Sequence, residues 1–333
     1  MEILILNAGS SSLKFSLYNL PNFNLLARGV CERVGLQESF MSLTIKEQKI
    51  HINKTYKNHV DALKHVYFEL TQGKHAIKQA TDGIELIGHM FVHGGGLTEP
   101  SFANKEIISH LKKSVGLAPI HLPKAISVLE NATKLFPQAQ NLIYFDSNFH
   151  SSIPKYANTY AINREITQKY NIKRYGFHGS SHEYMSQSVK KLSPKAKNII
   201  TCHLGNGCSI SAIKNGKSID TSMGFTPLEG VVMGTRCGNI DASIVNFIAT
   251  NAKISTDKVM DILNNESGLK GICGYSDLRD IEKGASQNDE LCILALDIYV
   301  YSIIKQIGAY ICALQGVDAI CFGGGVGENS PYI

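Results

Sequence analysis

Short blocks of apolar residues, broken by polar turn formers, open the chain in the pattern of strands. On that basis residues 1–55 read as a meander: a hairpin over 1–18, then strands over 25–34, 41–46 and 49–55. The pattern then turns helical over 59–71, 105–115 and 124–136, with strands over 84–92 and 141–145. The second half repeats the succession, with paired strands between 198 and 221 and helices over 241–251, 256–264 and 290–315. Strands followed by helices, twice, favour an α/β architecture over a sandwich. We place the domain boundary near residue 150, in the polar stretch His150-Ser151-Ser152-Ile153-Pro154, giving domains over 1–150 and 151–333.

Two of the turns carry chemistry. The first strand runs into Asn7-Ala8-Gly9-Ser10-Ser11-Ser12-Leu13-Lys14. There a glycine lets the backbone come close, serines offer hydroxyls and N–H groups, and a lysine adds charge. Such a turn holds phosphate, although an ordinary polar hairpin has the same composition. The segment Thr201-Cys202-His203-Leu204-Gly205-Asn206-Gly207-Cys208-Ser209 is a second strand–turn–strand of this kind. A third glycine element, Phe322-Gly323-Gly324-Gly325-Val326-Gly327-Glu328-Asn329, reads as a strand opening into a loop of backbone N–H groups. Two phosphate hairpins from duplicated domains and a late glycine loop suggest a nucleotide clamped between two lobes. That arrangement resembles the actin, sugar-kinase and Hsp70 superfamily.

Composition narrows the classes. At 333 residues the chain buries a large core and suits two domains. Its net charge of +5 is spread out, with no basic stripe carrying interleaved aromatics, so nucleic acid is not expected as a partner. Residues 291–314 are the most apolar window, but Asp297, Lys305 and Gln306 lie within it, so it reads as a buried amphipathic helix and not a membrane span. No basic stretch precedes the first apolar run, which argues against a signal peptide and for the cytoplasm. The eight cysteines show no CxxC spacing and read as reduced, buried thiols.

Several side chains stand out as candidates. His178 sits in Tyr175-Gly176-Phe177-His178-Gly179, just before a helix start that Ser180 or Ser181 would cap. A glycine on each side suggests a placed imidazole; a core histidine, or zinc held with His182 four residues on, are the alternatives. Arg236 lies between glycines in Met233-Gly234-Thr235-Arg236-Cys237-Gly238, which leaves its planar fork of donors available to phosphate oxygens. Asp146 ends a buried-type strand, where carboxylates either face a ligand crevice or cap a turn. The run Ser211 to Ser218 half-matches a phosphate-binding loop, but its Asn215-Gly216 pair marks a hairpin.

Taken together, the runs Asn7 to Phe15, Val92-His93-Gly94-Gly95, Tyr175 to Gly179, His203 to Gly207, Phe225-Thr226-Pro227-Leu228-Glu229-Gly230, Met233 to Gly238 and Gly324 to Ser330 resemble the acetate kinase family over the whole chain. The resemblance implies two ribonuclease-H-like (actin-like ATPase) domains with a nucleotide cleft, and reversible conversion of ATP and acetate to ADP and acetyl phosphate with Mg²⁺, or Mn²⁺ in its place. It implies that Asp146, His178 and Arg236 are catalytic and that Asn7 belongs to the metal shell. Lys14, His203, Leu204, Gly205, Asn206 and Gly207 would meet the nucleotide phosphates. Asp277, Leu278, Arg279, Gly325, Val326, Gly327, Glu328 and Asn329 would hold adenosine. Position 90, Val92, Ile120, Phe177 and Pro227 would form the substrate pocket, and the protein would be a homodimer.

Departures from the family pattern modify those expectations. Met90 stands where the family has an arginine that holds the substrate carboxylate or phosphate. The family continues past Ile333 with a segment that carries a metal-binding glutamate and completes the second domain. Both differences imply impaired turnover. Other short-chain acyl kinases, acting on propionate or butyrate, and a nucleotide-binding protein without turnover are the alternative readings.

Overall fold

The first apolar block forms β1 (Glu2–Ala8), in which Leu4, Leu6 and Ala8 are buried while Ile5 and Asn7 face outward. This period of two is what a sheet covered on one face requires. The computed structural model describes residues 1–77, 83–118 and 121–333. The chain divides into two units, Met1–Asn148 and Phe149–Ile333.

In the first unit β1 is joined by β2 (Ser12–Asn19), β3 (Asn24–Glu32), β4 (Phe40–Ile45), β5 (Gln48–Asn53), β6 (Leu86–Phe91), β7 (Ser101–Phe102) and β8 (Gln140–Phe145). The strand order is β5-β4-β3-β2-β1-β6-β8-β7. The meander is antiparallel, whereas β1, β6 and β8 run parallel. Among the described residues, α1 (His59–Thr71) and α3 (Leu122–Leu135) pack on it, and α2 (Lys105–Lys113) packs against α3. Asn58 and Asn104 cap the first two through their side-chain oxygens. Leu63, Val66 and Leu70 of α1 and Ile126 and Leu129 of α3 meet Leu4, Leu6, Phe91 and Phe145 in one core. Each such side chain contributes about 1.5–3 kcal/mol on leaving water.

The second unit has its own sheet: β9 (Asn198–Leu204), β10 (Cys208–Lys214), β11 (Lys217–Thr221) and β12 (Ala319–Gly323), in the order β11-β10-β9-β12. Here β9 pairs antiparallel with β10 and parallel with β12, as β1 pairs with β2 and β6. The order β3-β2-β1-β6 in one unit and β11-β10-β9-β12 in the other is the same topology. Almost every residue of β10 is buried, the mark of a strand covered on both faces. Asn215 and Gly216 both have positive φ, 53° and 80°, and close the β10–β11 hairpin. That turn, and not a phosphate loop, accounts for the serine- and lysine-rich run.

Short helical turns at Lys155–Asn158 and Arg164–Lys169 precede α4 (Gly179–Leu192), α5 (Ser243–Ala252), α6 (Thr256–Asn265), α7 (Gly268–Cys273), α8 (Leu278–Ser286), α9 (Glu290–Leu314) and α10 (Gly324–Asn329). By length and composition alone, α9 is apolar enough to cross a membrane, a test that the core helix of a folded domain also passes. Cys292, Ala295, Leu296, Tyr299, Ile303 and Leu314 form its buried stripe, while Leu291, Leu294, Tyr301 and Ile304 are exposed.

Three local expectations need correction. Neither Ser180 nor Ser181 caps α4; His178 occupies the cap position in a left-handed conformation, and Ser181 Oγ bonds His203 Nδ1 at 2.8 Å. The glycine loop after β12 is a helix, α10, whose first N–H donates to Glu328 Oε1 at 3.1 Å. The helix expected from residue 241 starts at Ser243, because Asp241 Oδ1 accepts the Ser243 N–H at 2.8 Å.

Candidate active site

Candidates in the first unit gather at the carboxyl ends of its parallel strands. Register places Lys14 opposite Asn7, Asn7 beside Met90, and Met90 beside Tyr144. Residues in register share a face of the sheet, so these four form one row. Lys14 and Asn7 are exposed; Met90 and Tyr144 are half-buried. Asp146 follows β8 directly and extends the ladder, its N–H donating to Phe91 O at 2.8 Å. Val92 is half-buried just past β6. The Gly/Ser turn is closed by Gly9 N–H to Ser12 O at 2.8 Å. Helices hold it from outside: His59 Nε2 bonds Gly9 O at 2.9 Å, and Lys124 Nζ donates to Ser10 O. Ile120 lies outside the described residues.

In the second unit the β9–β10 turn is Gly205-Asn206-Gly207, closed by Gly205 N–H to Gly207 O at 3.1 Å. Two candidate side chains press on Gly207. A Cβ there would overlap Arg236 Nη2 and lie 3.4 Å from His178 Nε2. Glycine is therefore the residue that lets the hairpin backbone, the guanidinium and the imidazole meet. His178 has φ of 55°, a conformation L-residues avoid and one that accumulates at functional sites. Its ring lies 4.2 Å from that of His203. Burial, then the neighbouring His203, Arg236 and His150, hold the His178 pKa well below the usual imidazole value, so the ring is neutral. Arg236 Nη1 donates to Pro227 O at 2.6 Å, and burial lowers its pKa. Phe177 is buried beside these groups in sequence, and its carbonyl accepts from His150 Nε2 at 3.0 Å.

A cavity of 690 Å³ opens in the same unit. Gly205 and Asn206 line it from the hairpin, Asp277, Leu278 and Arg279 from the start of α8, and Gly325, Val326 and Asn329 from α10. His203, Leu204, Gly207, Gly327 and Glu328 are not among its lining residues. Asp277 caps α8 and takes two bonds from the Arg279 side chain, at 2.9 and 2.5 Å, which hold its pKa at about 2. Gly324, with φ of 81°, turns α10 back over β9; a Cβ there would be 2.6 Å from Leu204 O.

Motif reading missed part of this wall. Gly234, Leu269, Ser276, Glu282, Tyr299 and Ser330 also line the cavity. Tyr299 comes from the middle of α9, and nothing in its local sequence distinguishes it from a core residue. The clamp on the loop that carries Pro227 was missed as well. Arg174 Nη2 donates to Glu229 Oε1 at 2.6 Å, and Tyr160 donates to Glu229 Oε2. Arg174 Nη1 donates to the carbonyls of Thr221, Ser222 and Met223 at 3.0–3.3 Å.

Acid should loosen both units through buried histidines. Burial lowers His89 and His150 to about 4. Below their unfolded value of about 6.5 the unfolded chain takes up protons that the native one refuses, so stability falls as pH drops from 6.5 towards 4. At pH 5 each group is expected to remove about 2 kcal/mol. Thermal melts at pH 7 and pH 5 read this, and equal midpoints would refute it.

Comparison with known proteins adds the family. The Acetokinase family model matches residues 2–333. The acetate kinase of Carboxydothermus hydrogenoformans is 45% identical over 338 residues, spanning 100% of this chain and 85% of that protein. The crystal structure of Porphyromonas gingivalis acetate kinase gives a TM-score of 0.92 at 36% identity, covering 98% of this chain and 84% of that one. A propionate kinase from Francisella tularensis gives 0.93 at 38% identity, covering 99% and 85%. The fold is that of these actin-like ATPase structures, and the chain belongs to the acetokinase family.

Proposed function

We propose that the chain transfers the γ-phosphoryl group of ATP reversibly to acetate, giving acetyl phosphate and ADP. The observation that carries this reading is the meeting of Arg236 and His178 at Gly207, beside a cavity of nucleotide size. A carboxylate oxygen of acetate forms the new O–P bond as the bond from phosphorus to the ADP oxygen breaks. Acetate is already ionised at neutral pH, so no strong base is required. Catalysis then rests on positioning and on neutralising charge spread over the phosphoryl oxygens. Arg236 supplies a planar fork of donors, and neutral His178 adds a hydrogen bond. Asp146 is assigned to orienting the acceptor and, in the second unit, the buried Phe177 and the loop of Pro227 to apolar contact with its methyl group. The His203 to Gly207 segment serves the phosphates, and Lys14 is the first unit's candidate for that role. The wall formed by Asp277 to Arg279 and by Gly325, Val326 and Asn329 serves adenosine.

The described residues contain no cluster of three or more His, Cys, Asp or Glu that could cage a metal. Magnesium keeps few protein ligands and takes the rest from phosphates and water. Asn7, at the carboxyl end of β1, and Asp146, just past β8, offer oxygen donors that suit that habit. Held there, Mg²⁺, or Mn²⁺ in its place, would neutralise phosphate charge.

Among the described residues the cysteines are free thiols, which suits a reducing, cytoplasmic setting. We further infer a homodimer. The exposed apolar residues Ile240, Ile244 and Phe247, on and beside α5, support an apolar contact surface. Sedimentation at the mass of a single chain would remove this inference.

Trapping with hydroxylamine tests the reaction. Acetyl hydroxamate is expected to form only when ATP, acetate and Mg²⁺ are all present. ATP consumed without hydroxamate, or no turnover at any acetate concentration, would defeat the proposal.

A further inference from the structure

Behind His178 lies a run of buried hydroxyls and imidazoles. His178 Nδ1 is 2.9 Å from Ser209 Oγ, and Ser209 Oγ is 2.7 Å from His182 Nε2. His182 Nδ1 is 2.8 Å from Thr201 Oγ1. Thr201, His182 and Ser209 have no exposure to solvent. The spacing comes from the fold. His178 and His182 stand one helical turn apart at the start of α4, and Thr201 and Ser209 lie on the neighbouring strands β9 and β10.

Proton counting gives the run a direction. Among the described residues, His182 Nδ1 is the hydrogen-bond partner of Thr201 Oγ1. A buried hydroxyl proton without an acceptor is costly, so Thr201 donates to His182 Nδ1. The His182 proton is then on Nε2 and is donated to Ser209 Oγ. Ser209 in turn has one acceptor left for its own proton, His178 Nδ1. A neutral His178 must therefore carry its proton on Nε2, the nitrogen that lies against Gly207 beside Arg236.

We propose that Thr201, His182 and Ser209 form a one-way hydrogen-bond relay that fixes His178 as its Nε2–H tautomer, so that the imidazole offers phosphoryl oxygens a donor. Run in reverse, the same contacts would present a lone pair to those oxygens and repel them. Neutrality of both rings is part of the device. Burial and the mutual presence of imidazoles hold His178 and His182 well below the usual pKa, with Arg236 adding to the effect on His178. Ser181 steadies the adjacent His203 ring through Nδ1, which keeps the stack in register. The three relay members are positioning residues, acting through His178.

The functional consequence rests on the phosphoryl-transfer reading; the tautomer itself does not. The first measurement uses the full, unliganded chain with ¹⁵N-labelled histidine. His178 is expected to show a protonated, pyrrole-type Nε2 and a pyridine-type Nδ1, and the opposite assignment would overturn the relay. The second uses Thr201→Val, which removes the terminal donor. His182 and His178 are expected to lose their single tautomers, and kcat to fall about 3- to 10-fold with the KM for ATP unchanged, the worth of one neutral hydrogen bond. Thr201→Ser should restore both readouts. Ser209→Ala breaks the run one step nearer and should scramble His178 alone; it serves if the valine variant does not fold. A fixed His178 tautomer in both broken variants would overturn the proposal. Correct spectra in a chain with no turnover would leave the relay standing and defeat the kinase reading.

Discussion

Replacing Arg236 with alanine is expected to lower kcat for acetyl phosphate formation by about 10²- to 10³-fold, the range seen when one preorganised donor to developing charge is removed. The guanidinium is half-buried and is held by Pro227 O, so it is in place before substrate arrives and needs no reorganisation during transfer. Gly207 leaves its Nη2 side uncovered by any Cβ. Arg236→Lys keeps a positive charge but loses the fork and the fixed plane, so it should recover only part of the rate. Steady-state kinetics on both substrates, beside a thermal melt, separate chemistry from folding. Losing the bond to Pro227 O should also raise the KM for acetate, because that loop carries the apolar wall proposed for the methyl group. A kcat close to that of the unmodified chain would remove Arg236 from the transition state, and a melt lowered in step with the rate would make it structural.

Hairpins and single strands were legible because they rest on local rules. Alternation in β1 and the Asn215-Gly216 pair each act over a few residues, and each produced the expected element. Glycine motifs likewise pointed to hairpins that meet candidate side chains, since close backbone approach demands glycine wherever it occurs. Cap assignment at α4 failed because Ser181 turned to His203 and His178 adopted the left-handed cap position itself. The α10 helix was missed because glycine-rich sequence has poor intrinsic propensity, and packing over β9 with Glu328 at its first N–H overrides it. The cavity wall was half-legible for a similar reason. Gly325 belongs to the late glycine motif and Asp277 came through the family resemblance, whereas Tyr299 and Leu269 arrive from helices whose register no local pattern reports. The buried run from Thr201 to His178 is wholly tertiary, assembled from two strands and a helix.

Met90→Arg is expected to raise kcat/KM for acetate by about 10- to 150-fold, the worth of one charge-assisted hydrogen bond. The position sits in the row Lys14, Asn7, Met90 and Tyr144, at the carboxyl ends of parallel strands, where ligands of α/β sheets gather. Methionine there offers a flexible apolar chain and no donor. An arginine would set a planar fork next to the Asn7 amide, on a half-buried site where water competes weakly for it. Lys14 lies two strands away, about 10 Å by strand spacing, near enough to add to the field but screened enough not to expel a second cation. The gain should appear mainly as a lower KM for acetate, because a carboxylate clamp acts on the ground state as well as the transition state. Met90→Leu should change little, and Met90→Lys should give a smaller gain than arginine. If all three variants keep the acetate KM of the parent, position 90 takes no part in holding the substrate carboxylate. If arginine lowers the melting temperature without changing kinetics, the guanidinium has been buried without an anion to meet it.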